Sequence, residues 1–258
     1  MASWAAKRKT LYFLLFFAAM LFLIAVPSFL IIYEKPSCFD SKQNQGEGGI
    51  DCGGPCAKLC RVSALAPSVL WTRALQVSPG VYNVVALVEN PNLDLMAKDV
   101  SYLFRVYDSN NLLIYERKGT ISVPPGGILP VFEGAISTAK RVANRATFEF
   151  TEEPFWRPFS GKRPDVRVSD INLLNKDGEA PPRLSAVIDN RSNRSIPSFN
   201  VVAILTGVSG NAIAASRTII DEVQAESKTP VTFTWREPFA EEVAKTEIIL
   251  ELFPTIHY

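Results

Sequence analysis

The sequence predicts a mainly β protein with an N-terminal transmembrane helix, a short Cys-rich segment and two tandem β-sandwich domains. Three observations carry this prediction: an uncharged apolar stretch near the N-terminus, a cluster that holds all four cysteines, and apolar runs that recur after 100 residues. The 258 residues suffice for two ordinary domains. With 27 Lys and Arg against 26 Asp and Glu, no nucleic-acid partner is expected, because nucleic acid requires a basic surface.

Residues 1–10 form a basic stub, and residues 11–33 form the predicted transmembrane helix. The 23 residues of this stretch carry no charge and no glycine, and as a helix they span roughly 34 Å, enough for a hydrocarbon core of ~30 Å. Lys7, Arg8 and Lys9 precede it without an acidic residue, so the N-terminus is expected in the cytoplasm and the rest outside. A cleavable signal peptide is the alternative, but its apolar part usually has about 7–15 residues. We predict a single-pass cell-membrane anchor.

A Cys-rich segment is predicted over residues 34–62. It contains Cys38, Cys52, Cys56 and Cys60, interleaved with five glycines, and too few apolar residues for a core of its own. Exported thiols oxidise, so an even number of cysteines favours two disulfides, with three pairings that the sequence leaves open. A four-thiolate zinc site is the alternative, although the paired C-x2-C spacing of such sites is absent.

Four side chains with oxygen ligands lie between the first two cysteines: Asp40, Asn44, Glu47 and Asp51. Hard oxygen ligands in a Gly-rich loop are the kind that calcium prefers. Calcium is therefore a candidate cofactor, with a solvated polar loop as the alternative, and no other cofactor is expected.

The same residues carry a resemblance. The string Cys38-x-Asp40, Gln43-Asn44, Glu47 and Asp51-Cys52-Gly53-Gly54-x-Cys56 resembles a short cysteine motif found in many extracellular, mostly uncharacterised proteins. The resemblance covers residues 38–56. It implies an extracellular location and no particular activity.

The exported part contains an internal repeat. Residues 81–135 align with the sequence 100 positions later without a gap, so that residues 85–90 lie over residues 185–190. Pro130-Val131 likewise lies over Pro230-Val231. We infer two copies of one domain, over residues 63–152 and 166–258.

Both copies are predicted to be β. Short runs rich in Val, Ile, Leu, Tyr and Phe alternate with Gly, Pro, Asn and Asp, at residues 82–88, 101–107, 184–188 and 200–205. Pro124-Pro125-Gly126-Gly127 is a turn that continues neither a helix nor a central strand. This pattern is typical of a two-sheet sandwich of the immunoglobulin kind.

The first copy is also similar to known families. Phe104-x-Val106-Tyr107-Asp108 is similar to the F-x-L-Y-D signature of a small β-sandwich family of exported prokaryotic proteins. Asn90-Pro91-Asn92 and Pro125-Gly126 resemble the related late-embryogenesis type 2 sandwiches. The resemblance covers residues 80–135 and implies a sandwich fold and no particular activity. The second copy departs from the signature, with Ile204, Thr206, Gly207 and Val208 at the equivalent positions.

A linker is predicted over residues 153–165. It carries the aromatic residues Phe155, Trp156 and Phe159 among three prolines, which make it stiff rather than a free tether. We expect the aromatic rings to pack between the two domains and fix their angle, with an exposed docking patch as the alternative.

Catalytic motifs are scarce. The single histidine, His257, lies beside the C-terminus, which argues against Ser-His-Asp and Cys-His centres in a core. Residues 137–140 fit S-x-x-K, but the S-D-N and K-T-G elements that accompany it are absent. Residues 190–192 and 193–195 are glycosylation sequences where exported asparagines are modified.

We expect a non-catalytic binding or scaffolding protein whose partner is a protein or an envelope polymer. The alternative is a calcium- or redox-responsive envelope sensor acting through the Cys-rich segment.

Overall fold

The computed structural model describes residues 4–32, 37–60, 64–139, 141–159, 161, 163–175 and 180–253. Thirteen strands and one helix are present among these residues, which confirms the mainly β class. The chain divides into two units, residues 1–56 and 57–258. Tyr33, at the end of the predicted transmembrane segment, and His257 lie outside the described residues.

The first unit begins with helix α1, Trp4–Ile32. Residues 8–28 of this helix are long and apolar enough to cross a membrane, with a mean hydropathy of 2.4. The apolar side chains described along it are exposed, which suits a helix surrounded by lipid rather than a core helix. The helix starts before the predicted segment, so the basic residues at positions 7–9 lie in its first turns, where the Arg8 guanidinium lies 3.9 Å from the Trp4 ring centre.

The first half of the second unit contains seven strands that form two antiparallel sheets. The strands are β1 Ser68–Ser78, β2 Val81–Asn90, β3 Leu95–Tyr107, β4 Leu113–Val123, β5 Gly127–Ser137, β6 Arg145–Phe150 and β7 Trp156–Pro158. One sheet has the order β1-β2-β5, and the other has the order β4-β3-β6 with β7 also paired to β3. The predicted turn at residues 124–127 joins β4 to β5. Residues 156–158, which the sequence assigns to the linker, thus complete a sheet of the first half.

The second half contains six strands. They are β8 Val166–Leu174, β9 Arg183–Asn190, β10 Ile196–Gly207, β11 Ala212–Val223, β12 Lys228–Thr234 and β13 Val243–Leu250. The sheets have the orders β12-β9-β8 and β11-β10-β13. Strands β8 to β13 correspond in order to strands β1 to β6. Sheet β12-β9-β8 thus matches sheet β5-β2-β1, and sheet β11-β10-β13 matches sheet β4-β3-β6. The two halves therefore share one strand connectivity.

Each half has a core between its two sheets, because alternate side chains of a strand point to opposite faces. In the first half, Val84 of β2 is fully buried beside Phe104 of β3 and Phe148 of β6, whose ring centres lie 5.0 Å apart. In the second half, Leu184 of β9 and Val201 of β10 are buried in the equivalent layer. Both halves are sandwich-like pairs of sheets.

Candidate functional sites in the Cys-rich segment and between the sheets

All four cysteines of the Cys-rich segment are oxidised. Cys38 and Cys56 form a disulfide with a Cα–Cα distance of 5.6 Å, and Cys52 and Cys60 are also disulfide-bonded. The predicted disulfides are thus confirmed. A four-thiolate zinc site is not formed, because a disulfide sulfur is not available as a thiolate ligand.

The carboxylates predicted as calcium ligands accept hydrogen bonds from the backbone. Asp51 accepts the backbone N–H groups of Asp40 and Ser41 at 3.0–3.1 Å. Asp40 in turn accepts the Lys42 N–H at 2.9 Å and the Asn44 Nδ2 amide at 2.9 Å. The hydrogen bond from Asn44, with further backbone bonds, holds the pKa of Asp40 below its usual value. The two aspartates therefore fix the path of the loop as charged acceptors.

Glu47 is the buried member of this set, with 6% of its surface exposed. One carboxylate oxygen accepts the backbone N–H groups of Asn44 and Asp51 at 3.2 and 3.3 Å. The other lies 3.0 Å from Cys56 Sγ, which has no proton to donate because it belongs to the disulfide. The Glu47 carboxyl group thus lies against the Cys38–Cys56 disulfide while it accepts backbone donors of the loop.

The side chain of Asn44 has one buried oxygen whose hydrogen-bonding capacity is not used within the described part of the chain. Its Oδ1 is buried without a hydrogen-bond donor among the described residues, while its Nδ2 bonds Asp40. Buried polar atoms normally have a partner. The four predicted oxygen ligands are thus neighbours, but most of their oxygens already serve backbone donors.

Gly54 is expected to be indispensable for this segment. It has a φ of +56°, and a Cβ at this position would lie 2.2 Å from the Gly46 carbonyl oxygen. We predict that Gly54→Ala prevents correct disulfide formation, because backbone must move before the Cβ fits. Gly46→Ala is the matched control, since Gly46 also has a positive φ, +83°, but open space around it. Free-thiol titration under denaturing conditions measures the difference, and equal thiol content in the two variants would contradict the prediction.

A second candidate site is a hydrophobic cluster that joins the two halves, called here the shared core. It consists of Leu75, Val85, Leu87 and Phe132 from sheet β1-β2-β5 and of Val202, Ile204 and Ala215 from sheet β11-β10-β13. Val85 and Val202 are completely buried. Both central strands, β2 and β10, are therefore buried on two faces, one toward their own sandwich and one toward the other half.

Polar contacts surround the shared core. Asn83 Nδ2 donates to the Ala215 carbonyl at 3.0 Å, and Arg217 Nη1 donates to the Phe132 carbonyl at 2.9 Å. The Arg217 guanidinium also lies 5.0 Å from the centre of the Phe132 ring, within cation–π range. Arg73 of β1 hydrogen-bonds Asn211. These contacts specify one orientation of the two halves, because each needs a partner at a fixed place.

The three linker aromatics lie in different environments. Trp156 is buried against Leu95, Val100 and other residues of the first half. It therefore belongs to that half rather than to an interdomain contact. Phe155 is 41% exposed, and the backbone N–H of Phe159 donates to Asp94 in the loop before β3.

A buried asparagine closes the turn after β2. Asn90 is 2% exposed, and its Nδ2 donates to the carbonyls of Leu95 at 2.9 Å and Pro124 at 2.7 Å. Its Oδ1 accepts the Asn92 N–H at 3.0 Å. The side chain thus ties the β2–β3 turn to the end of β4.

The same arrangement occurs 100 residues later. Asn190 is fully buried, and its Nδ2 lies 2.8–3.2 Å from the carbonyls of Arg194, Val223 and Gln224. Its Oδ1 accepts the Ser192 N–H at 3.1 Å. The internal repeat aligns the two asparagines, but the sequence does not indicate that each of them organises a turn.

Glu251 is a buried carboxyl near the shared core. It is 8% exposed and accepts a hydrogen bond from Asn200 Nδ2 at 2.8 Å. Burial raises the pKa of Glu251, while the Asn200 bond and the positive charge of Arg217 act in the opposite direction.

Glu251→Gln is expected to stabilise the protein at pH 7 but not at acidic pH. Because the pKa of Glu251 is raised on folding, the stability it contributes is fully present below the ordinary value of 4.5 and is lost as pH rises through the folded-state pKa. Gln keeps an acceptor for Asn200 and carries no charge. Melting temperatures at pH 4 and pH 7 test this, with Glu222→Gln as an exposed control on β11. A variant no more stable than the wild type at pH 7 contradicts the prediction.

Comparison with known proteins gives no family. No family model matches the chain, and no curated protein matches it. A β-glucuronidase of Bacteroides uniformis is similar over 68% of this chain and 26% of its own, at 8% identity and a TM-score of 0.21. Red sea bream transglutaminase is similar over 73% and 32%, at 14% identity and a TM-score of 0.18. The CBM22 tandem domain of Xyn10C from Paenibacillus barcinonensis is similar over 75% and 93%, at 6% identity and a TM-score of 0.15. The chain spans about a third or less of the first two proteins, and similarities this low assign neither a fold family nor an activity.

Proposed function

We propose that this chain is a non-catalytic scaffolding or binding protein, anchored in the membrane by α1, that presents two sandwiches outside the cell as one rigid body. The shared core is the observation that carries the proposal, because it fixes the two halves face to face. The basic residues before the apolar stretch and the two disulfides support an extracytoplasmic location for the rest of the chain.

We further propose that the two halves are tandem copies of one immunoglobulin-like domain related to the F-x-L-Y-D and late-embryogenesis type 2 sandwiches. Their common strand connectivity and the buried asparagine turns at Asn90 and Asn190 support a duplication. A fold of this kind presents loops and strand edges to a partner and needs no turnover. The partner is then another protein or an envelope polymer.

Crosslinking in the native membrane tests the proposal. A photoreactive phenylalanine replaces one exposed apolar residue in each part of the chain: Phe39 in the Cys-rich segment, Leu112 in the first half or Ile219 in the second. A stoichiometric partner crosslinked from one position supports a scaffold and shows which part docks. Crosslinks only within the chain at all three positions argue against a protein partner and direct the search to polymers, by binding assays on envelope glycans.

The calcium-responsive alternative is favoured by one observation, the buried Asn44 Oδ1 without a donor. A cation held by this oxygen and by the remaining lone pairs of Asp40 and Asp51 would stabilise the Cys-rich segment. The double variant Asp40→Ala, Asp51→Ala should then lose a calcium-dependent rise in melting temperature. Identical melting of the wild type with calcium and with a chelator removes this alternative.

A further inference from the structure

Two adjacent acceptor sequences for N-linked glycans occupy the turn between β9 and β10. One begins at Asn190 and ends at Ser192, and the other begins at Asn193 and ends at Ser195. From sequence alone the two are equivalent, since both have the N-x-S pattern with arginine in the middle.

The structure distinguishes them by the state of the acceptor nitrogen. The Nδ2 of Asn190 is the atom that a glycan would modify, and it is buried within hydrogen-bond distance of three carbonyl oxygens. A sugar on this atom removes a donor and places a polar group of sugar size inside the turn. A chain modified at Asn190 therefore cannot reach this fold.

Asn193 has the opposite environment. Its side chain and that of Ser195 are exposed, and neither takes part in a hydrogen bond within the described part of the chain. The backbone around it is held in place, because Arg191 N–H donates to Asp165 at 2.9 Å and Glu226 N–H donates to Ser192 at 3.1 Å. The turn thus offers Asn193 to solvent from a fixed position.

We propose that Asn193, and not Asn190, is an acceptor for an N-linked glycan. In the transfer, Asn193 Nδ2 forms a bond to the anomeric carbon of a sugar carried on a lipid phosphate. The bond from that carbon to the phosphate oxygen breaks, the lipid phosphate leaves with the electron pair, and the amide loses one proton to a base of the transferase. This inference rests on the proposed extracytoplasmic location of the sandwiches.

Expression of the full chain in a eukaryotic secretory host tests the assignment. We expect one glycan, seen as a single mass step that a peptide N-glycosidase removes, and localised to Asn193 by peptide mass spectrometry. Ser195→Ala should abolish it and Ser192→Ala should leave it unchanged, since each variant destroys only one of the two sequences. A glycan on Asn190 in the folded protein, or one that persists in Ser195→Ala, overturns the inference.

A reporter site separates failure of the inference from failure of the proposed location. Leu112→Thr creates an acceptor sequence beginning at Asn110, in the exposed turn between β3 and β4. Modification of Asn110 without modification of Asn193 overturns the inference and leaves the location standing. When neither asparagine is modified, the proposed location fails and the inference fails with it.

Discussion

Ile204→Lys is expected to destabilise both halves of the second unit together. Ile204 is 2% exposed and lies in the shared core between the two sandwiches. An uncompensated charge at such a site costs about 3–5 kcal/mol. Because the same residue packs against the first half, we expect the unfolding of that half to shift as well. Scanning calorimetry of the full chain in detergent measures the number of transitions and their midpoints.

Two further variants make this prediction specific. Val85→Lys introduces the charge from the first half and should have the same effect, since Val85 lies in the same cluster and is completely buried. Ile219→Lys is the matched control, because Ile219 is 63% exposed on β11 and such changes usually stay within about 0.5 kcal/mol. If Ile204→Lys lowers only one of two separate transitions, the shared core does not couple the halves.

The strands were predictable because their apolar runs are short, repeated and separated by turn residues. The sequence also contains a signal for the shared core. Residues 84–88 and 201–205 are uninterrupted apolar runs rather than alternating ones, which is the pattern of strands buried on both faces. A single sandwich with one solvated face predicts alternation instead. The continuous runs are therefore the signal that points to a partner sheet for the second face.

Other features depend on distances that a sequence does not contain. The pairing of Cys38 with Cys56 rests on how the loop between them folds, and that fold depends on which carboxylate meets which backbone amide. Trp156 can be buried either between the domains or within the first half, and the sequence around it is compatible with both positions. Strand β7, only three residues long, decides between them by pairing with β3.

Asn190→Ala is expected to cost about 3 kcal/mol or more, because the loss of one buried partner costs about 1–3 kcal/mol and Asn190 serves three carbonyls and a backbone N–H. Asn190→Asp should be at least as harmful. It keeps the size and the acceptor oxygen, but it turns a second oxygen toward carbonyl oxygens and adds a buried charge. Urea unfolding followed by tryptophan fluorescence gives the change in the free energy of unfolding.

Asn193→Ala is the control in the same turn, since Asn193 is exposed and its loss should change stability by less than about 0.5 kcal/mol. Asn90→Ala extends the test to the first half, where Asn90 serves two carbonyls and a smaller loss is expected. We therefore expect the loss of stability on substitution by Ala to decrease in the order Asn190, Asn90, Asn193, because this is the order of the number of buried partners that each side chain satisfies. An Asn190→Ala variant as stable as Asn193→Ala would show that the turn holds without its asparagine, and the structural argument for a duplicated domain would then rest on strand connectivity alone.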